Sequence, residues 1–447
     1  MTDGTEAGAV LDQARVLDQV RRAAAALARS SREDRDAGLA AFEEALDTHR
    51  GAILAANAED LAAATREVEA GRMARSLLER LKLDGRKLDE LRRGLATVRA
   101  MPDPLGQVTL ATQLDHGLEL RRITCPIGVV AVIFESRPEA LVQIAGLALK
   151  SGNALIAKGG SEAERTNRAL FEVLSGALAR CGFVEGTLSL LTRRNEIASL
   201  LRADRDVDLV VPRGSNELVR SIQRSTSIPV LGHAEGICHV VVDRAANLEQ
   251  ALAIAVDSKV QYAAACNAAE TLLVHRDVAA RFVPAVVAAL REHSVEVRGD
   301  EAARRLVDDL TPATERDWDS EYGDLIVALR VVDDLDQALE HIARHGSRHT
   351  ETLVTEDDRA WERFAAEVDA AGVFRNASTR FADGYRYGFG AEVGISTGKL
   401  HPRGPVGLDG LTTYKYLLEG RGHRVADYTG AQARPFRHRP LDPTKVR

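Results

Sequence analysis

The sequence predicts an α/β protein with two α/β units and a β-hairpin that precedes the first of them. Short β-rich runs alternate with amphipathic stretches from about residue 125 onward, which indicates parallel sheets covered by helices. A break at residues 101–106 (MPDPLG) separates this region from a helical N-terminal stretch. Two moderately alternating runs follow the break, residues 107–114 and 117–124, and together they predict the hairpin.

The N-terminal stretch, residues 8–100, predicts three to four amphipathic helices. It is rich in Ala, Leu, Arg and Glu, and its apolar residues recur at helical spacing. Ser31, followed by Asp34, predicts a helix N-cap. No heptad pattern persists, and glycines interrupt the stretch, so a long coiled coil is disfavoured.

The first α/β unit begins with a continuous β-rich run at residues 128–134, which is typical of a strand buried on both faces. Further elements follow in regular alternation, as a parallel sheet requires. In order, they are helix 138–149, strand 154–157, helix 162–180, strand 187–191, a short helix near Glu196, strand 208–211, helix 215–224 and strand 228–231.

A second α/β unit begins near residue 237. Its predicted elements are strand 239–242, helix 248–258, strand 271–275, helix 278–293 and strands at 325–332 and 351–355. The Gly-rich segment that follows ends in a predicted strand at 411–417. The remaining residues contain prolines and several basic side chains. We interpret them as a solvated tail, with an arm for an anionic partner as the alternative.

Composition narrows the classes of function. The net charge of −7 lacks the basic excess of a nucleic-acid binder. Four scattered cysteines do not form a disulfide framework or a zinc ribbon, and they fit a reducing cytoplasm. No apolar run of about 18 residues is present, so no membrane span is expected. The first residues lack the apolar core of a signal peptide.

Cys266 is the candidate nucleophile. It lies in residues 261–271 (QYAAACNAAET), where small residues surround the thiol and Asn267 follows it. Such a setting would let the sulfur reach a flat carbonyl group without obstruction. A lone cysteine is more often a small buried hydrophobe, so this assignment depends on other segments of the chain.

Two segments point to a dinucleotide, although no Gly-x-Gly-x-x-Gly fingerprint or Walker A loop is present. Lys158 directly follows a predicted strand, and the carboxyl ends of parallel strands face the ligand crevice. Gly214 and Ser215 open a helix after another such strand, so their backbone N–H groups could hold a pyrophosphate. A solvated surface lysine is the alternative for Lys158.

Histidines offer a weaker pattern. His341, His345 and His349 have the four-residue spacing of some metal sites, but Gly346 interrupts the helix and no carboxylate or thiol nearby completes a ligand set. We therefore predict no metal and interpret these residues as exposed histidines at a helix end.

Four segments together resemble the γ-glutamyl phosphate reductases (glutamate-5-semialdehyde dehydrogenases), a family in the aldehyde dehydrogenase superfamily. The resemblance extends over about residues 10–420. The segments are residues 125–140 (CPIGVVAVIFESRPEA), 208–217 (DLVVPRGSNE), 265–271 (ACNAAET) and 387–407 (YGFGAEVGISTGKLHPRGPVG).

The resemblance implies an aldehyde dehydrogenase-like fold with a Rossmann-like cofactor domain, an α/β catalytic domain and an oligomerisation hairpin. The implied cofactor-binding domain contains residues 1–106 and 125–235, and the catalytic domain contains residues 236–405. The implied oligomerisation strands are 107–124 and 406–420, which leaves 421–447 as the tail. These strands would build a homo-oligomer.

The resemblance also implies the activity. The enzyme would reduce L-glutamate 5-phosphate to L-glutamate 5-semialdehyde with NADPH, a cytoplasmic step of proline synthesis, and the glutamate 5-kinase that makes this labile substrate is a further implied partner. Cys266 matches the family nucleophile, and Asn267 with nearby backbone N–H groups would stabilise the oxyanion. Lys158, Gly214 and Ser215 match cofactor contacts, as does Glu321 by a looser alignment.

A substrate with a phosphate and an α-carboxylate requires cations in its pocket. The candidates are Arg137, Lys399, His401 and Arg403, for which a surface role is the alternative.

One departure from the wider superfamily concerns the general base. Hydrolytic aldehyde dehydrogenases have a glutamate where residues 231–236 (LGHAEG) place Gly232, with Glu235 nearby. An enzyme that forms its thioester from an acyl phosphate has no need to activate water. The competing hypotheses are a hydrolytic aldehyde dehydrogenase and a catalytically inactive binding protein with the same fold.

Overall fold

The computed structural model describes residues 3–73, 75–193, 195–232 and 235–445. The chain divides into two compact units. The first unit contains Met1–Leu231, Phe389–Gly394 and Val406–Arg447, and the second contains Gly232–Gly388 and Ile395–Pro405. The hairpin and its neighbouring strands belong to the first unit, and six residues of the predicted catalytic domain, 389–394, belong there too.

Helices and strands alternate through most of the described chain. The helices are α1 (Asp3–Leu27), α2 (Arg32–Thr48), α3 (Arg50–Glu69), α4 (Arg75–Leu81), α5 (Gly85–Ala100), α6 (Glu139–Lys150), α7 (Glu164–Arg180), α8 (Asn195–Leu200), α9 (Asn216–Ser225), α10 (Leu248–Val260), α11 (Arg276–Glu292), α12 (Glu301–Arg304), α13 (Glu315–Trp318), α14 (Leu335–His345) and α15 (Asp358–Glu367). The strands are β1 (Val108–Asp115), β2 (Leu118–Pro126), β3 (Val129–Phe134), β4 (Ala154–Lys158), β5 (Leu188–Leu191), β6 (Leu209–Arg213), β7 (Cys238–Val242), β8 (Ala269–His275), β9 (Glu296–Gly299), β10 (Thr311–Pro312), β11 (Ile326–Val332), β12 (Thr350–Val354), β13 (Gly372–Arg375), β14 (Ile395–Ser396), β15 (Gly404–Pro405), β16 (Thr412–Glu419) and β17 (Arg439–Pro440).

The N-terminal stretch forms five helices in its described residues, where three to four were predicted. The additional helix is the seven-residue α4. The predicted N-cap at Ser31 is confirmed. The Ser31 side chain accepts from the Asp34 backbone N–H at 3.0 Å, and the Asp34 carboxylate accepts from the Ser31 N–H at 3.0 Å, so the two residues form a capping box.

The first unit contains a four-stranded parallel sheet in the order β5-β4-β3-β6. Every residue of β3 and β4 is buried, as their continuous apolar runs predicted. The predicted strand at 228–231 is wrong, because this segment makes only an isolated bridge between Val230 and Val210. Pro229 lacks a backbone N–H, which limits the ladder that the segment can form.

The second unit contains a seven-stranded parallel sheet in the order β10-β9-β11-β8-β7-β12-β13. The predicted strands β7, β8, β11 and β12 occupy its centre, where apolar runs are long enough to be recognised. The edge strands β9, β10 and β13 have two to four residues and were not predicted. Within the described chain, no helix has the length and apolar character needed to span a bilayer.

The hairpin lies in an antiparallel sheet with the order β16-β2-β1-β17. The predicted strand at 411–417 is present as β16, which pairs with β2 along its whole length. Strand β2 therefore lies between two neighbours of the same chain, and its edges are covered.

The described residues of the predicted solvated tail, 421–445, are mostly exposed, but the tail also docks on the hairpin, which was not predicted. Strand β17 pairs with β1, and the backbone N–H of Arg437 donates to Leu114 O at 2.8 Å. Asp115, at the end of β1, accepts from the Tyr428 hydroxyl at 2.9 Å and lies 3.4 Å from the Arg437 guanidinium. These contacts hold the tail against the hairpin.

Candidate functional site

Cys266 lies in a tight loop between α10 and β8, which we call the Cys266 loop (residues 261–268). The Ala265 N–H donates to Tyr262 O at 3.2 Å, and the Ala268 N–H donates to Ala265 O at 2.9 Å, so two consecutive turns present the cysteine. Cys266 forms no disulfide and is partly exposed. The small residues around it leave the sulfur accessible to a planar carbonyl group.

Gly236 lies directly against the backbone of Cys266. A β-carbon added at Gly236 would collide with the carbonyl oxygen of Cys266 and would lie 2.7 Å from its Cα. Real Cβ atoms are essentially never found this close to backbone. Position 236 therefore requires glycine if the Cys266 loop is to keep this path.

Cys238 supports the loop from beneath. Its Sγ donates to the Cys266 carbonyl at 3.5 Å and lies 3.6 Å from His349 Nδ1. Burial raises the pKa of the Cys238 thiol well above its usual value, and the charges of Glu351 and Cys266 raise it further. Cys238 therefore remains a neutral S–H donor and is a structural support for Cys266, not a second nucleophile.

Asn267 joins the Cys266 loop to a second loop, residues 376–383 (NASTRFAD). The buried Asn267 amide donates to Ala382 O at 2.8 Å. This hydrogen bond uses a donor that the sequence interpretation had assigned to the oxyanion. Asn267 therefore connects the two loops, and its contact with an oxyanion stays a prediction.

Arg380, in the same second loop, is a residue that sequence reasoning missed. Its Nε donates to Gln261 Oε1 at 2.9 Å, and its guanidinium carbon lies 5.9 Å from the centre of the Tyr262 ring. Its side chain is therefore held by the first residues of the Cys266 loop. Burial lowers the pKa of Arg380, as does the neighbouring charge of Arg386, whereas the charge of Cys266 acts in the opposite direction.

A buried ion pair joins the residues that precede and follow the Cys266 loop in the chain. Lys259, near the end of α10, donates to Glu270 on β8 at 2.7 Å, and both side chains are fully buried. Burial raises the pKa of Glu270 to about 7 although Lys259 opposes this shift. The Gly323 N–H also donates to Glu270, at 3.3 Å, so the segment that contains the cofactor candidate Glu321 is fastened to the base of the Cys266 loop.

The cofactor candidates of the first unit meet at one edge of its sheet. Lys158 is the last residue of β4 and pairs with Ile133 on β3. Phe134, the next residue of β3, pairs with Arg213 at the end of β6. The carboxyl ends of these parallel strands are therefore adjacent, as a ligand crevice requires. The Lys158 ammonium is buried and donates to Gly159 O at 2.5 Å.

Gly214 and Ser215 occupy the junction of β6 and α9, as predicted. Ser215 is the N-cap of α9 and accepts from the Leu218 N–H at 3.4 Å. Its own N–H donates to the Glu135 carboxylate at 2.9 Å. The helix N-terminus thus already holds an anionic group, and a pyrophosphate would have to replace or join this carboxylate.

Asn167 provides a structural test of whether this edge fits a cofactor. Both polar atoms of its buried side chain lack a hydrogen-bond partner, and a β-carbon at Gly159 would collide with its amide nitrogen. Unsatisfied buried amides are costly in proteins. Polar groups without partners beside a glycine and a strand-end lysine fit a site that takes a polar ligand.

The predicted substrate cations are divided between the two units of the chain. Arg137 belongs to the first unit, whereas Lys399, His401 and Arg403 belong to the second. Lys399 and Arg403 lie 2.8 and 2.9 Å from the Asp369 carboxylate, and Lys399 and His401 are exposed. The Lys399 contact, with help from Arg403, holds the pKa of Asp369 below its usual value. Asp369 therefore neutralises part of the charge expected for the substrate.

The three spaced histidines are buried, so the prediction of exposed helix-end residues is wrong. The Arg330 guanidinium donates to His341 Nδ1 at 2.9 Å, and His345 Nδ1 lies 2.7 Å from the Asp319 carboxylate. His349 Nδ1 lies near the Cys238 thiol. They were misjudged because His341 and His345 share the buried face of α14 with Ala338 and Ile342, and His349 is buried just after the helix. Among the described residues, no group of three or more His, Cys, Asp or Glu side chains has a geometry suited to a metal ion.

The segment that would carry a hydrolytic base is only partly described. Gly232 and Glu235 flank residues 233–234, which lie outside the described residues. Gly232 has no side chain that could activate water.

Comparison with known proteins gives consistent matches along the chain. The aldehyde dehydrogenase family matches residues 5–305. A γ-glutamyl phosphate reductase from Synechococcus sp. (strain JA-3-3Ab) is 58% identical over 406 residues, which cover 91% of this chain and 89% of the relative. The γ-glutamyl phosphate reductase of Natronomonas pharaonis is 52% identical over 443 residues, with 99% of each chain covered.

A solved structure agrees with these matches. The γ-glutamyl phosphate reductase of Thermotoga maritima superimposes with a TM-score of 0.88 at 39% identity, covering 92% of this chain and 99% of that one. The predicted aldehyde dehydrogenase-like α/β fold is therefore confirmed.

The contact between Gly236 and Cys266 leads to a direct prediction. We expect Gly236→Ala to displace the Cys266 loop and lower turnover by about 100-fold, because a shift of about 1 Å at a reacting atom has that effect. The strain should cost about 1–3 kcal/mol of stability. Steady-state kinetics and thermal unfolding measure the two effects. Gly51→Ala, in α3 with open space around it, is the control and should retain full turnover. Normal kinetics in Gly236→Ala would show that the loop tolerates the displacement.

Proposed function

Because the chain belongs to the aldehyde dehydrogenase family, in the group of γ-glutamyl phosphate reductases, we propose that it reduces L-glutamate 5-phosphate to L-glutamate 5-semialdehyde with release of phosphate. This reaction is a step of L-proline biosynthesis. The observation that supports it most is the accessible Cys266 thiol on a loop whose backbone is fixed by Gly236 and Cys238. An accessible, rigidly held thiol is what acyl transfer through a thioester requires.

The proposed chemistry proceeds in two stages at Cys266. Its thiolate attacks the acyl carbon of the substrate, so a carbon–sulfur bond forms while the carbon–oxygen bond to phosphate breaks and phosphate leaves with the electron pair. NADPH, when bound, supplies the hydride that reduces the thioester carbon. The carbon–sulfur bond then breaks, the aldehyde leaves, and the Cys266 thiolate is regenerated. Backbone N–H groups of the Cys266 loop are the proposed donors to the oxyanion.

The absence of a side chain at Gly232 supports a phosphate-dependent reaction over hydrolysis. A thioester that meets no activated water persists until hydride arrives. In the reverse direction, phosphate must release the acyl group. The proposed reaction therefore differs from aldehyde oxidation by a hydrolytic relative in one measurable property, its requirement for phosphate.

We expect glutamate 5-semialdehyde and NADP⁺ to yield NADPH only when inorganic phosphate is present, as followed by absorbance.

Cys266→Ser should fold normally and lose at least about 1000-fold in turnover, because a hydroxyl without a strong base is a poor nucleophile. Cys181→Ser, which changes an exposed cysteine, is the control and should remain active.

Two results would contradict this proposal. Phosphate-independent oxidation would indicate a hydrolytic enzyme. Cofactor binding without turnover in the wild-type protein would indicate an inactive binding protein.

A nicotinamide cofactor follows from family membership, and NADPH is the form we propose. Lys158, Gly214, Ser215 and Glu321 are its proposed contacts. Lys158 is supported by its place at the carboxyl end of β4 beside the unsatisfied Asn167 amide.

Lys158→Ala should weaken NADPH binding about tenfold, since a hydrogen bond to a charged group contributes about 1.5 kcal/mol. Direct titration of NADPH by calorimetry measures this loss. Lys82→Ala, which removes an exposed lysine of the same unit, is the control. Unchanged affinity in Lys158→Ala would remove Lys158 from the cofactor site.

The substrate pocket is proposed to include Arg137, Lys399, His401 and Arg403. Arg137 is supported by its place after β3, at the strand ends that bear the cofactor candidates. The Asp369 contacts of Lys399 and Arg403 weaken the case for these two residues. The proposed compartment is the cytoplasm, which is supported by the four cysteines, none of which forms a disulfide in the described residues. The glutamate 5-kinase that makes the labile acyl phosphate is a proposed functional partner.

We propose a homo-oligomer that assembles through the outer edge of β16. This strand is at the end of its sheet, and its Tyr414, Tyr416 and Leu418 side chains are exposed. Unpaired edges that carry apolar side chains are usually covered. Leu120 is unsuitable for testing this interface because it pairs with both Thr112 and Leu418 of its own chain.

The double variant Tyr416→Asp with Leu418→Asp should shift the protein toward monomer, because it places charge on the proposed interface. Multi-angle light scattering at micromolar concentration measures the shift. Val184→Asp alters an exposed apolar residue elsewhere in the same unit and should leave the mass unchanged. A wild-type protein that is a fully active monomer would contradict the proposed assembly.

A further inference from the structure

Arg380 is a buried cation whose side chain contacts the first residues of the Cys266 loop. Its side chain is only 7% exposed. Two contacts hold it there, the hydrogen bond to Gln261 at 2.9 Å and the stacking distance of 5.9 Å to the Tyr262 ring. A guanidinium packed in this way has lost much of its rotational freedom, so its charge is preorganised.

The backbone around Arg380 is fixed to the helix that leads into the same loop. The Arg380 N–H donates to Ser378 Oγ at 3.2 Å, and the Thr379 N–H donates to Ser258 Oγ on α10 at 3.2 Å. The two serine hydroxyls are themselves 3.2 Å apart. Two residues beyond Arg380, the Ala382 carbonyl accepts from Asn267, the neighbour of Cys266. The loop of Arg380 is thus bonded to the end of α10, which leads into the Cys266 loop, and to Asn267 within the Cys266 loop.

The charge of Arg380 has little local compensation. Among the described residues, no carboxylate lies within ion-pair distance of its guanidinium. Its attractive neighbours, in decreasing order of effect, are Cys266, Asp383 and Asp257, and Arg386 repels it. A buried cation that lacks a carboxylate partner is costly unless an anion is present when the protein functions. The negative charge that the reaction places at Cys266 is such an anion.

We propose that Arg380 stabilises the thiolate of Cys266 and so keeps the nucleophile ionised at neutral pH. This proposal rests on the proposed function, which assigns Cys266 as the nucleophile. Arg380 has an advantage over Lys259, the other buried cation beside the loop, because Lys259 is already neutralised by Glu270 at 2.7 Å. An arginine also stays protonated after burial, whereas a buried lysine readily loses its proton.

Alkylation of Cys266 in the full-length protein tests this proposal without substrate or cofactor. The thiolate displaces iodide from iodoacetamide, which is neutral, or from iodoacetate, which is anionic. Peptide mass spectrometry measures both rates at Cys266 across a range of pH. The exposed Cys181 of the same molecules serves as an internal reference.

Arg380→Gln should move the midpoint of the Cys266 alkylation profile upward by about one pH unit and slow alkylation about tenfold at neutral pH. It should also reduce the preference of Cys266 for iodoacetate over iodoacetamide, because the nearby positive charge is gone. Arg380→Lys should retain much of that preference. Arg363→Gln, which removes an exposed arginine of the same unit, should match the wild-type protein.

The outcomes separate this proposal from the proposed function. If wild-type Cys266 reacts no faster than Cys181 at neutral pH, the assignment of Cys266 as nucleophile fails. If wild-type Cys266 is reactive and Arg380→Gln leaves its profile and reagent preference unchanged, the role of Arg380 is refuted. Thermal unfolding of Arg380→Gln shows whether the variant is folded. If it is not, the reagent preference of Arg380→Lys decides, and a preference as low as that of Cys181 would overturn the proposal.

Discussion

The contact between Gly236 and the backbone of Cys266 is the constraint on which the second unit's site depends. Because no side chain separates them, the loop can lie flat on the segment that leads into β7. This placement brings the Cys266 carbonyl to Cys238, whose neutral thiol can then donate to it. In the same loop, the Asn267 amide reaches the Ala382 carbonyl of the 376–383 loop. The absence of one methyl group at Gly236 therefore permits the close approach of the Cys266 backbone.

Buried polar and charged side chains in the second unit are paired with each other. Lys259 and Glu270 neutralise each other beside the Cys266 loop, and Glu351 accepts from both the backbone and the ring of His239 deeper in the sheet. Paired groups of this kind are costly to separate, so they hold strands and helices in one arrangement. Arg380 differs from them because, among the described residues, no carboxylate lies within ion-pair distance of its guanidinium.

Sequence patterns predicted the parts of the fold that depend on local burial. The strands β3 and β4 were recognisable because both of their faces are buried, and the cap at Ser31 because its chemistry is local. The short edge strands and the docking of the tail escaped prediction, since both depend on pairing between distant segments. The histidines of α14 were misjudged for a related reason, because only tertiary packing reveals which face of that helix is buried.

The candidate site shows the same division. Cys266 was proposed from its small neighbours together with the family resemblance of other segments, and Lys158 from its place at a strand end. Arg380 carried no local signal, because its partner Gln261 is 119 residues away in the chain. Asn267 was given a catalytic role from its position beside Cys266, and its bond to Ala382 could not be foreseen from spacing.

The tail that docks on β1 has a consequence for how copies of this chain can associate. Strand β17, at one end of the hairpin sheet, has only two residues and one of them is a proline, so among the described strands of this sheet β16 offers the longer edge for strand addition. A sheet with two open ends can grow without limit, whereas one with a single open end can accept one neighbour. Pairing of β16 with its own copy across a twofold axis would consume that end in both chains. In the proposed homo-oligomer, the C-terminal residues would therefore favour closed pairs over open-ended addition of strands.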